Sequence, residues 1–91
     1  MDIREITSPT NSLLKVFRRA LADGATRDGL LAVEGPQLVK EALNAASVVV
    51  HSLLVSASGK TKFHSLLDRL PSEAEAAQVA DPLFQKVAAT E

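Results

Sequence analysis

Leu13, Val16, Phe17, Ala20 and Leu21 recur at helical spacing, and at about 100° per residue they fall on one side of a helix, with Lys15, Arg18, Arg19 and Ala22 on the other. The spacing predicts a first helix over 9–22, with Ser8 as N-cap, Pro9 at the tolerated first position and Gly24 as its stop. The next apolar run, Leu30 to Val33, is short and bounded by Gly29 and Gly35, which suits a buried strand better than a helix. Gly35-Pro36 then turns the chain into a helix in which Leu38, Val39, Ala42, Leu43 and Ala46 keep the helical period. Val48 to Val55 is the strongest strand, with two apolar trios separated by His51-Ser52. After the loop Ser56 to Gly59, the stripe Phe63, Leu66, Leu67 and Leu70 predicts a third helix that Pro71 stops. Ala76 to Ala80 is a weak strand candidate, because alanine is a poor strand former, and Asp81-Pro82 opens a last helix over 82–88.

This order, α-β-α-β-α-β-α, predicts an α/β protein: a three-layer α/β/α sandwich around a small central mixed sheet. The 91 residues, 46% of them apolar, suffice for one domain with a modest core and exclude a multidomain enzyme. No stretch reaches the roughly 18–20 uncharged apolar residues that span a bilayer, and Met1 to Thr7 alternates charges with Ile. A cytoplasmic protein without membrane contact is expected. There is no cysteine, and His51 and His64 lie 13 positions apart, so no metal partner is expected.

The net charge of −1 hides an asymmetry: no acid lies between Glu5 and Asp23, a window that holds Lys15, Arg18 and Arg19. The global balance argues against a nonspecific polyanion binder and leaves room for one small basic patch. A charged solvent face is also what most helices carry. Only three aromatic residues occur, Phe17, Phe63 and Phe84, which disfavours a platform that reads single-stranded bases by stacking.

Signals for catalysis are weak. Gly59-Lys60-Thr61 imitates the end of a phosphate-binding loop, but the position where the first glycine is required holds Leu54. His51, His64 and the serines lack a nucleophile elbow. Glu34, at the end of an apolar run before Gly35, is read first as a structural carboxylate at the start of the following helix. Lys60 and Lys62 add positive charge near the end of the sheet.

The ordered series of residues carries more. Ile6-Thr7-Ser8, Asn11 and Lys15, then Arg27, Leu31-Ala32-Val33-Glu34-Gly35, Leu38-Val39 and Glu41-Ala42-Leu43, resembles the substrate-binding domain that precedes the catalytic domain of SpoU/TrmH-family RNA 2'-O-ribose methyltransferases. The similarity continues through Leu53-Leu54-Val55-Ser56 and Val79-Ala80-Asp81-Pro82-Leu83-Phe84 to Ala89-Thr90-Glu91. Ser12 stands where the family has proline, Leu31 replaces an aromatic residue, and 22–26 replaces an often basic loop.

The resemblance implies an L30e-like fold that holds structured ribosomal or transfer RNA, with Asn11, Lys15, Arg27, Glu34 and Gly35 near the RNA; the helical face adds Arg18 and Arg19. Residues 1–91 would then be the RNA-binding domain alone. It is expected to be monomeric, non-catalytic and free of cofactor. A knotted methyltransferase domain that binds S-adenosylmethionine and forms a homodimer would follow residue 91. Two other readings stay open: an autonomous kink-turn RNA-binding protein, and a protein-protein interaction module built on the alanine-rich helices.

Overall fold

Alanine-rich Glu75–Val79 forms the central strand of a three-stranded parallel sheet, between Arg4–Ile6 on one side and Ser52–Ser56 on the other. The computed structural model describes residues 3–89. In chain order the elements are β1 (Arg4–Ile6), α1 (Ser12–Asp23), α2 (Pro36–Asn44), β2 (Ser52–Ser56), α3 (Gly59–Lys62), α4 (His64–Leu67), β3 (Glu75–Val79) and α5 (Asp81–Ala88). The protein is α/β, and the sheet is parallel, not the mixed sheet expected. Every strand joins the next through helical segments on the sheet faces, the connection that parallel pairing demands.

Register explains why the small residues of β3 suit its place. Ala77 lies beside Arg4 and Leu54, and Val79 beside Ile6 and Ser56. On that face Ile6, Ala77 and Val79 pack with Leu13 and Leu14 of α1 and Val87 of α5, supported by Phe17 and Phe84. The alternate positions Ala76, Leu53 and Val55 face a second cluster with Leu67 and Leu70, joined by Val39 and Leu43 of α2. Side chains that alternate along each strand thus bury both faces of the sheet, as parallel sheets require. Among the described residues no helix is long and apolar enough to cross a membrane.

Several elements differ from the sequence reading. Helix α1 begins at Ser12, because Asn11, not Ser8, caps it: Asn11 Oδ1 accepts from Leu13 N at 2.9 Å. Ser8 and Pro9 instead form a turn closed by Asn11 N donating to Ser8 O at 3.2 Å, with proline at its second position. Gly24 ends α1 at φ 84° as expected. Leu30–Val33 forms no strand among the described residues, and the strand expected over Val48–Val55 is the shorter Ser52–Ser56. The predicted helix before Pro71 breaks at Phe63 into two single turns, α3 and α4, although Leu67 and Leu70 are buried as its stripe requires. The three-residue β1 has too short a pattern to read in isolation and exists through its ladder with β3.

Leu14 and Val79 are the two largest fully buried side chains, and they belong to the same cluster. Leu14→Ala is expected to cost about 2–5 kcal/mol, from lost apolar transfer plus the cavity left behind. Urea unfolding followed by circular dichroism measures it, with the slope of the transition unchanged.

Candidate nucleic-acid interface

The orientation of α1 decides which of its cations meet solvent. With about 100° between successive residues, Leu13, Leu14, Phe17, Ala20 and Leu21 span the side that packs on β1, β3 and α5. Lys15 and Arg19 lie opposite the middle of that arc and are exposed. Arg18 lies next to Leu14 and Leu21 around the helix and is half-buried. This corrects the expectation that all three cations share one free face. The fully buried Leu14 turns the apolar stripe toward Arg18.

Lys15 and Arg19, one turn apart, make the exposed cationic stripe of α1. Asp23 continues it one turn further, and Arg19 Nε lies 3.6 Å from its carboxylate, both side chains being largely in water. Such an exposed pair is weak and yields readily to a competing anion. Asn11 sits at the other end of the helix. Its carbonyl oxygen is committed to the cap, a contact that contributes about 1 kcal/mol to stability.

Arg27 lies past the C-terminal end of α1, so a 12-residue helix, roughly 18 Å long, separates its loop from Asn11. The loop closes on Thr26: its N donates to Leu30 O at 2.9 Å, its Oγ1 accepts from Leu30 N at 3.1 Å, and its carbonyl accepts from Gly29 N at 3.0 Å. Arg27 and Asp28 occupy the exposed tip of this turn. Glu34 is exposed just before α2, and Gly35 is the N-cap of α2 with φ 97° and ψ 149°, where a Cβ is strongly disfavoured. The structure therefore gathers Lys15 and Arg19, sets Arg18 at their margin, and leaves Asn11, Arg27 and Glu34-Gly35 at separate points.

The carboxyl ends of the three parallel strands carry a second group of polar residues. Ala57 N donates to Val79 O at 2.7 Å, and Gly59 N donates to Ser56 Oγ at 3.1 Å, an approach so close that a Cβ on Gly59 would lie 2.9 Å from that hydroxyl. Asp81 Oδ1 accepts from Ser58 N at 3.0 Å, and this bond to the backbone amide, with help from the Ser58 side chain, lowers the Asp81 pKa below its ordinary value. Asp81 thus ties the loop after β2 to the start of α5, a link that chain separation hides from sequence reading. Lys60 is exposed, while Lys62 lies 5.5 Å from the centre of the Phe63 ring, within cation–π range. His51 and His64 are exposed; His51 Nδ1 lies 2.8 Å from Ser52 Oγ, and His64 Nδ1 lies 3.4 Å from Thr61 O. Among the described residues no group of three His, Asp or Glu side chains is placed to hold a metal ion.

All three phenylalanines are half-buried: Phe17 and Phe84 pack against the first core cluster, and Phe63 lies under the Lys62 ammonium. No protein-family model matches the chain, nor does any curated protein or solved structure.

Two outcomes test these local readings. Gly35→Val is expected to lower unfolding stability by about 1–3 kcal/mol through backbone strain alone, since no atom within 4 Å would meet the new Cβ. Thermal unfolding checks it. The depressed pKa of Asp81 means that its contribution is present above the unfolded carboxylate value, roughly 3.9, and is lost as pH falls through the lower folded value. Asp81→Ala should therefore lower the melting temperature near pH 7, and the gap to the parent protein should narrow as pH falls below the unfolded carboxylate value.

Proposed function

We propose that the chain is an RNA-binding domain of the SpoU/TrmH type, an L30e-like α/β/α sandwich that holds structured ribosomal or transfer RNA. Methyl transfer to a ribose 2'-hydroxyl would be the work of a knotted domain that binds S-adenosylmethionine, and this chain would orient the RNA for it. The observation that carries the reading is the exposed Lys15–Arg19 stripe of α1, in which Lys15 belongs to the residues that resemble the family's opening phrase and Arg19 follows one turn later on the same helix face. The half-buried phenylalanines support recognition of folded RNA through its backbone and shape, because a single-strand reader needs free rings.

Lys15, Arg19 and Arg27 supply about three phosphate contacts, which limits the isolated domain to affinities on the order of 10⁻⁴ to 10⁻⁶ M before any shape-specific contribution. Arg18, being half-buried, contributes at the margin. Lys15→Gln combined with Arg19→Gln is expected to weaken binding of a folded RNA hairpin and to flatten its salt dependence by roughly 0.7–0.9 per contact removed. Stability should change by no more than about 0.5 kcal/mol, since neither side chain supports the core. Filter binding over a salt series measures the slope. Unchanged affinity and slope would refute this face as the RNA site and direct attention to Lys60.

A further inference from the structure

From Ser56 to Leu67 the chain carries no acid, and Lys60, Thr61, Lys62, His64 and Ser65 are all exposed. Helix α3 and the start of α4 thus present ammonium, hydroxyl and imidazole groups to water and no carboxylate. Lys62 Nζ stands 5.5 Å from the centre of the Phe63 ring, an attraction that gives its ammonium a defined place. Arg69, further along, is engaged elsewhere, because its guanidinium donates to Asn44 Oδ1.

The fold sets this surface against the cations of α1. Helix α3 packs beside β2, and the buried Leu67 and Leu70 belong to the cluster on the sheet face opposite α1. Lys15 lies in the first turn of α1, which follows β1, and Lys60 and Lys62 lie in α3, which follows β2. The strands are parallel, so both groups flank the carboxyl edge of the sheet, where open α/β sheets bind their ligands. With helices about 10 Å across on either face, the two groups stand roughly 20 Å apart. The rim between them carries exposed Thr7, Ser8, Ser58, Ala80 and Pro82, none of them charged. Asp81 at this rim is half-buried and accepts from Ser58 N, and Glu5 stands exposed one residue inside β1. The loop after β2 ends like a phosphate-binding loop, but its amides are taken, Ser58 N by Asp81 and Gly59 N by Ser56 Oγ. Lys60 and Lys62 therefore suit a phosphate outside the loop better than a nucleotide seated in it.

We infer that Lys60 and Lys62 form a second phosphate-contact site, and that one folded RNA lies across the carboxyl edge of the sheet and meets both this site and the Lys15–Arg19 stripe. The inference rests on the RNA reading and extends it: the phosphate contacts rise from about three to about five and are divided between the two helix layers. A span of roughly 20 Å is more than a mononucleotide bridges and lies within one turn of a duplex, on the order of 30 Å.

Filter binding over a salt series, with a hairpin whose stem is about one helical turn long, tests the inference in the parent protein and three variants: Lys15→Gln with Arg19→Gln, Lys60→Gln with Lys62→Gln, and all four together. Each pair is expected to flatten the salt slope by roughly 1.4–1.8, twice the loss per contact. The losses in log affinity should add in the fourfold variant, with one RNA bound per protein. Lys60→Arg with Lys62→Arg keeps both charges and should bind like the parent, which separates charge from any change in packing around Phe63. An unchanged slope for the Lys60 and Lys62 pair, beside a flattened one for Lys15 and Arg19, overturns this inference and leaves the RNA reading standing. An unchanged slope for Lys15 and Arg19 removes the two-sided contact whatever the other pair does, and with it that face as the RNA site. Two RNAs bound per protein would also sink it, since the two sites would then act separately. So would displacement of the hairpin by equimolar ADP, because the loop would then be a nucleotide seat.

Discussion

Strand β3 holds the molecule together because both other strands pair with it and both apolar clusters touch it. Its side chains at Ala76, Ala77 and Val79 are small, and the first two let helices approach the sheet from either side without a gap to fill. Gln78 is the exception: it lies between Glu5 and Val55, and its Oε1 is buried with no hydrogen-bond partner among the described residues. A polar atom in that state carries a desolvation cost, so the rest of the central strand must offset it through ladder bonds and packing. The Arg4–Glu75 pair, at 3.4 Å and half in water, adds little beside these.

The same packing sets the candidate interface. Because Leu14 drives fully into the cluster formed with Val79 and Val87, α1 has one rotational setting on the sheet. That setting presents Lys15 and Arg19 to solvent and lays Arg18 against the protein. A cationic stripe on a helix of this kind is held in place by the apolar residues beneath it, and rigid placement is what lets a few charges meet a folded polyanion in register. Asp23 and Asp28, each next to one of the cations, keep the patch small and limit nonspecific attraction.

Stability is uneven across the fold. One part, β1, α1, β3 and α5, shares a cluster containing Leu14, Ala77 and Val79 without measurable exposure. The other, from Gly29 to His51, contains α2 with no buried residue and carries the exposed apolar set. Few buried contacts and open backbone bonds mark the second region as the one with the lowest local opening free energy. The turn bearing Arg27 and the Glu34-Gly35 junction bracket its first run, whereas Lys15 and Arg19 stand on the well-packed part.

The sequence by itself determined the α/β class, the glycine stop of α1, the proline starts of α2 and α5, and the apolar stripe of the third helical region. Each of these depends on local chemistry: a positive φ that glycine adopts freely, a proline that fits a first helical turn, a spacing that gathers side chains on one face. It also grouped Lys15, Arg18 and Arg19 on one side of α1, of which the structure leaves Lys15 and Arg19 exposed. Tertiary structure decided the rest. Alanine has little strand preference, and Ala76 and Ala77 became the centre of the sheet because burial rewards small side chains there; three residues, Arg4–Ile6, became a strand only because β3 offered its edge. Asn11 took the cap from Ser8 once Ser8 and Pro9 closed a turn of their own, and the burial of Leu14 withdrew Arg18 from the cationic face. Those outcomes depend on which surfaces meet across long stretches of chain, and no pattern within a single segment encodes a partner that lies in another.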